Sequence, residues 1–340
     1  MSPTTILVIR PGALGDAVLT LPLLEALEGG GARRVVVLGA PASWSFLAPG
    51  ALEVRDLGSR EWLGLFGAGG TLPDGARRIV EGCDGAILCL GAGRDGVEAA
   101  LRSAGIDRIA GIAVAGMDGL ARSAASPAGL SGDFSVDHAA FRLLSALPAL
   151  GLPMADFEDA ALAPKTVDKD PLIRVAPDEA SAARIALLPA VKPDEKILVL
   201  HSGSGGASKC WPAQRFAALA RAAPGLGLRP VVLLGPADAA IVEGVRRALP
   251  AGLAMPCVAH RPLREVLALL ATARAFVGND SGITHLAARA TATLAIFGPT
   301  DPRLWRPLGR KVIVRAAAGG RLADLEVDTV LSDLAALLRL

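Results

Sequence analysis

Tyrosine is absent from these 340 residues, and the aromatic share is only 4%, so no platform for stacking a sugar ring stands out. Cysteine is scarce: Cys83, Cys89, Cys210 and Cys257 form no C-x-x-C pair, and none lies near a histidine at metal-ligand spacing. Buried free thiols in a reducing compartment are the expectation, and no metal site is expected. No apolar run approaches the ~20 residues needed to cross a bilayer. The apolar start at residues 5–10 is short, turns straight into Gly and Asp, and lacks a basic flank and a small-residue cleavage site. A cytoplasmic location is therefore expected, with peripheral contact at the inner membrane surface as the nearest approach to lipid. Charge of one sign is also lacking: a net +2 argues against nucleic acid as a partner.

What is present is length, apolar residues and glycine loops. At 340 residues the chain exceeds what one hydrophobic core normally organises, so two domains are expected, 1–165 and 166–340. The first carries 13 basic and 18 acidic side chains, −5, and the second 22 and 15, +7. A phosphate-bearing ligand would be drawn to the second, though a bias of surface charge explains the asymmetry equally well.

Thr5 to Arg10 is a short apolar run suited to a buried parallel strand, followed by a glycine loop and a helix from Ala17 to Glu28. Further β-like runs come at Arg34–Leu38, Glu53–Leu57, Gly85–Leu90 and Arg108–Ile112, with room for helices between them. His138–Leu150 reads as a helix, and Met154–Pro177 as the approach to a linker. The pattern restarts at Lys196–His201, then alternates through helices at Pro212–Ala223, Ala237–Leu249, Leu263–Ala271 and Ser281–Ala290. Strands fall between them at Pro230–Leu234, Ala275–Val277 and Thr293–Phe297, and a last helix runs from Val327 to Leu340. Such alternation makes an α/β protein with parallel sheets covered by helices.

In open parallel sheets ligands bind outside the carboxyl ends of strands. Four loops lie there. Arg10-Pro-Gly-Ala-Leu-Gly-Asp16 puts a carboxylate at the start of a helix, where Asp16 either caps it or does chemistry. Gly12 and Gly15 mark turns or a close approach, but they do not complete the G-x-G-x-x-G dinucleotide fingerprint, which weakens a nicotinamide-dependent oxidoreductase. His201-Ser-Gly-Ser-Gly-Gly-Ala-Ser-Lys-Cys-Trp-Pro212 offers backbone amides, the hydroxyls of Ser202 and Ser204, and Lys209. It reads as an anion cradle or as a mobile surface loop, and it lacks the Walker Gly-Lys-Ser/Thr. In Gly278-Asn-Asp-Ser-Gly-Ile-Thr-His285, the amides near Ser281 and Gly282 are first-turn donors and His285 stands one turn on. Asp280 is an N-cap or an acceptor for sugar hydroxyls; His285 is a packed imidazole or a second anion ligand. Phe297-Gly-Pro-Thr-Asp-Pro302 ends a strand ahead of Trp305, which reads as packing more readily than base stacking.

Taken in order, these loops resemble glycosyltransferase family 9, the ADP-heptose:lipopolysaccharide heptosyltransferases. The resemblance implies a GT-B fold, two Rossmann-like domains facing across a cleft, with the final helix crossing back to the first domain. It also implies inverting, metal-independent transfer from a nucleotide-sugar donor to a glycan or glycolipid acceptor. By motif position Asp16 is the catalytic base. Ser202, Ser204 and Lys209 are phosphate-binding elements, and Asp280, Ser281, Gly282 and His285 contact the donor sugar and diphosphate. Gly12 and Gly15 fall on the acceptor side. Ser281 stands where many members have Thr, which keeps the hydroxyl. A non-catalytic protein that retains the nucleotide-sugar site is the alternative.

Overall fold

The computed structural model describes residues 5–67, 72–91, 93–112, 138–153, 170–235 and 255–340. The chain divides into two compact units, Met1–Leu162 and Ala163–Leu340.

In the first unit Thr5–Ile9 is β1, buried after its first residue. With no polar alternation to turn one face to water, such a strand needs cover on both sides. There follow α1 (Leu14–Gly29), β2 (Arg34–Gly39), α2 (Pro41–Trp44), β3 (Glu53–Asp56), α3 (Asp74–Glu81), β4 (Gly85–Leu88), α4 (Arg94–Ser103), β5 (Arg108–Gly111) and α5 (Ala139–Leu144). All five strands are parallel, in the order β3-β2-β1-β4-β5. Trp62, Leu65, Val80, Val97 and Leu101 pack over Leu7, Ile9 and Leu88.

The second unit contains α6 (Pro177–Leu187), β6 (Ile197–His201), α7 (Ala213–Ala222), β7 (Arg229–Leu234), β8 (Cys257–Ala259), α8 (Leu263–Leu270), β9 (Ala275–Asn279), α9 (Gly282–Ala290), β10 (Thr293–Phe297), α10 (Pro302–Trp305), β11 (Val312–Ala316) and α11 (Val327–Arg339). Its six strands run parallel in the order β11-β10-β9-β6-β7-β8. Counted from β6, this is again the doubly wound Rossmann order. Each unit has one switch point where the chain reverses its direction of growth, between β1 and β4 and between β6 and β9. Val330, Leu334 and Leu337 of α11 enter the core of their own unit with Leu294, Ile296, Trp211 and Phe216.

Several elements depart from the sequence reading; β8, β11 and α6 fall where no strand or helix was read. The first helix begins at Leu14, so Asp16 is its third residue and Ala13 its N-cap. Alanine has no side-chain acceptor, and Asp16 instead reaches back to the Ala13 amide at 3.0 Å. The helix read over His138–Leu150 stops at Leu144, and Leu147–Leu150 is a tighter turn. Pro148 has no amide hydrogen for the Leu144 carbonyl, which ends α-helical bonding there. Asp280 is not the N-cap of α9; Ser281 is, its hydroxyl accepting the Thr284 amide at 3.3 Å. The helix read at Ala237–Leu249 and most of the stretch read as a linker approach lie outside the described residues.

Candidate functional site

In the first unit the loop after β1 folds around Asp16. Its Oδ1 accepts Nη2 of Arg10 at 2.8 Å, and its Oδ2 the Ala13 amide. Gly12 has φ +132°, in the region that favours glycine, and a Cβ there would stand 2.5 Å from Asp16 Oδ2. Gly12 therefore makes room for the carboxylate. Gly15 lies in the first turn of α1. Arg10 is buried, and its Nε donates to Thr20 Oγ1 at 3.1 Å.

In the second unit three loops meet at the carboxyl ends of β6, β9 and β10, which are neighbours in the sheet. Lys209, in a short 3-10 turn after β6, donates to Asp280 Oδ2 at 3.0 Å. Thr300, after β10, donates to the same oxygen at 2.7 Å. Ser204 Oγ donates to the Asp280 carbonyl at 2.6 Å. Asp280, which reads in sequence as an N-cap or an acceptor for sugar hydroxyls, is thus the point where the loops join. The join sits at the switch point between β6 and β9, where the crevice of such a sheet opens.

The remaining residues frame that point. Asn279, fully buried at the end of β9, accepts the Trp211 amide at 3.0 Å and donates to the Ser202 carbonyl at 2.8 Å, stapling the β6 loop to its neighbour. The Ser202 hydroxyl is buried and has no hydrogen-bond partner among the described residues. Gly282 and Ile283 are the first residues of α9, and their amides have no carbonyl one turn back within the helix. Thr284 is held by the Asn279 carbonyl through its hydroxyl. A Cβ on Gly278, in β9, would stand 2.7 Å from the Phe276 ring and 2.9 Å from that hydroxyl, so the bare backbone leaves room for both. His285 is buried one turn into α9. Asp301 caps α10 and pairs with Arg303, whose side-chain hydrogen bonds hold its carboxyl below the ordinary range against the opposing effect of burial. Trp305 closes α10, half-buried.

Arg10, Thr20, Asn279 and Thr300 are the site residues that sequence reading missed. A signal existed for one of them: Arg10 is a charge directly after the apolar run Ile6 to Ile9, which calls for a partner. Thr300 gives no such sign, because its role depends on β10 lying beside β9. Among the described residues no three His, Cys, Asp or Glu side chains gather to hold a metal ion, and no helix is long and apolar enough to cross a membrane.

Residues 99–333 match the family described as glycosyltransferase family 9 (heptosyltransferase). Lipooligosaccharide heptosyltransferase 2 of Haemophilus influenzae is 37% identical over 122 residues, 34% of this chain and 35% of that protein. The matched stretch thus spans about a third of that relative's length. Among solved structures, the family 9 glycosyl transferase from Veillonella parvula has a TM-score of 0.73 at 17% identity, over 98% of this chain and 97% of that one. E. coli ADP-heptose lps heptosyltransferase II gives 0.66 at 20% identity, over 98% of each chain. At such identities the likeness carries the fold, the GT-B class that the motifs imply.

Proposed function

This chain belongs to glycosyltransferase family 9, and from that premise we propose that it is an inverting, metal-independent glycosyltransferase. Its donor is a nucleoside diphosphate sugar, with heptose from ADP-heptose the first choice, and its acceptor a lipopolysaccharide core or related glycan. The donor and acceptor readings follow the names of the relatives above. The observation that carries the proposal is the meeting of three strand-end loops on Asp280, with Lys209 and the start of α9 beside it. The protein works in the cytoplasm, with peripheral contact at the membrane face where a lipid-linked acceptor would be met.

The chemistry asks for two things. Charge that builds on the departing diphosphate must be stabilised, and the acceptor hydroxyl must lose a proton. The amides at Gly282 and Ile283, with the positive end of the α9 dipole, about half a unit charge, serve the diphosphate together with Lys209 and His285. Ser202 and Ser204 line the same cradle. Asp280 receives sugar hydroxyls through Oδ1, the oxygen that takes neither the Lys209 nor the Thr300 bond. The acceptor oxygen bonds to the anomeric carbon as the bond from that carbon to the diphosphate oxygen breaks. The electron pair departs with the nucleoside diphosphate, and the hydroxyl proton passes to Asp16. Attack on the face opposite the leaving group inverts the anomeric centre.

The test combines calorimetric titration of ADP with ADP release from ADP-heptose, using de-O-acylated lipopolysaccharide core as acceptor. The wild type should transfer, and Asp16→Ala should lose roughly 10²-fold or more in turnover, in the range of general-base contributions, while keeping its ADP affinity. Binding without turnover by the wild type would leave a non-catalytic nucleotide-sugar binder. Absence of ADP binding would remove the reading altogether.

A further inference from the structure

Arg10 follows a strand whose last four residues, Ile6 to Ile9, are apolar and fully buried, and is itself 2% exposed. A guanidinium buried this deeply is costly unless it is paired and hydrogen-bonded. It is both: Nη2 binds Asp16 Oδ1 at 2.8 Å and Nε donates to Thr20 Oγ1 at 3.1 Å. Thr20 in turn donates through the same hydroxyl to the Asp16 backbone carbonyl at 2.7 Å. The three residues form a closed ring spanning the end of β1 and the first two turns of α1. The Asp16 side chain is the one member that reaches solvent, at 28% exposed against 2% for Arg10.

We infer that Arg10, held by Thr20, is the positioning residue that aims the Asp16 carboxylate; the inference rests on Asp16 being the base proposed above. A purely structural ion pair would serve as well with both partners covered. Here the cation is hidden and the carboxylate protrudes. One bond falls on each carboxylate oxygen, from Arg10 and from the Ala13 amide, which fixes the rotation of the group and leaves each oxygen a further lone pair. The planar guanidinium meets Thr20 and Asp16 through different nitrogens at the same time, a geometry that lysine does not reproduce. A shift of about 1 Å in a reacting group can cost about 10²-fold in rate, so this ring would tell on turnover.

The experiment is a double-mutant cycle on the full chain, read as ADP release from ADP-heptose with de-O-acylated lipopolysaccharide core. T20V and R10K should each lower kcat by about 10-fold or more with KM for ADP-heptose changed less than about twofold. In a D16N background neither should lower kcat further, because the residue through which they act is gone. The same fold-loss on top of D16N, or a loss confined to KM, would overturn the inference. Circular dichroism checks folding, and if R10K fails to fold, T20V decides. Wild-type turnover by D16N would remove the base assignment and this inference together. An impaired D16N with additive T20V and R10K would remove the positioning role alone.

Discussion

Lys209 Nζ lies 3.0 Å from Asp280 Oδ2, although the residues are 71 positions apart. The pair exists because β6 and β9 are adjacent at the switch point of the second sheet, so the loops that follow them share one edge. Thr300 brings the neighbouring loop to the same oxygen. A cation and two hydroxyl-bearing loops are thus tied together at the point where a diphosphate would be received.

Lys209→Ala should therefore weaken ADP binding by about 10-fold or more, the ~1.4 kcal/mol of one charge-assisted bond to phosphate. Its effect on stability should be small. The Lys209 side chain is 35% exposed, so solvent screens the pair and its loss costs at most ~1 kcal/mol. Calorimetric titration and a thermal melt, run side by side, separate the two effects. A variant that binds ADP as the wild type does would take Lys209 out of the cradle.

Gly12→Ala tests the loop of the first unit. At φ +132° an alanine is strained, and its methyl would lie 2.5 Å from Asp16 Oδ2 and 2.8 Å from its Cγ. The carboxylate must move. Turnover should fall by about 10²-fold, whereas the melting temperature should fall by only a few degrees, since strain of ~1–3 kcal/mol is local. A turnover assay beside a thermal melt decides; unchanged kcat would show that the Asp16 direction does not matter.

The alternation of apolar runs and glycine loops made both parallel sheets readable, and with them the loops that hold Asp16, Lys209 and Asp280. Strand order was harder to read, because it is decided by which crossovers pack best, and no local pattern records that choice. That explains Thr300, whose hydroxyl matters only once β10 lies against β9. Boundaries failed where a single residue overrides periodicity. Pro148 ended a helix that Leu143, Leu144, Leu147 and Leu150 would otherwise have continued, and Asp16 drew the start of α1 back to Leu14. Most of Met154–Pro177, read as the approach to a linker, lies outside the described residues. Its described part begins with Asp170, a fully buried carboxylate.

Asp170 makes the third prediction. Its Oδ2 lies 2.6 Å from Arg289 Nη2 in α9, both side chains are almost wholly covered, and Oδ1 accepts the Leu172 amide at 3.0 Å. Removing one partner of a buried pair costs far more than the pair itself contributes, about 3–5 kcal/mol. Asp170→Ala should lower the urea midpoint of the second unit accordingly, followed by the fluorescence of Trp211, which is buried there, in a chain with Trp44, Trp62 and Trp305 replaced by Phe. Replacing both residues by apolar ones, D170L with R289M, should recover much of the loss. No recovery in the double variant, or no loss at all in Asp170→Ala, would contradict the account.

Cys89, which has Arg10 and Asp16 as charged neighbours, reports on whether the end of β4 stays closed. Burial pushes Cys83 and Cys89 up to about 11, and for Cys89 the neighbouring Arg10 only partly offsets that rise. Cys89 follows β4, with its amide on the Ile9 carbonyl at 2.9 Å, and is fully covered. Alkylation needs the thiolate. With a pKa near 11, only about one thiol in a thousand is ionised at pH 8, and the fraction rises as pH rises. Iodoacetamide at pH 8 should therefore modify the exposed Cys257 first and the half-covered Cys210 next, leaving Cys83 and Cys89 for urea-unfolded chains. Mass spectrometry of timed digests reads the order. Early labelling of Cys89 would mean that the end of β4 opens in the native state, and Arg10, its charged neighbour, could not then hold Asp16 in one direction.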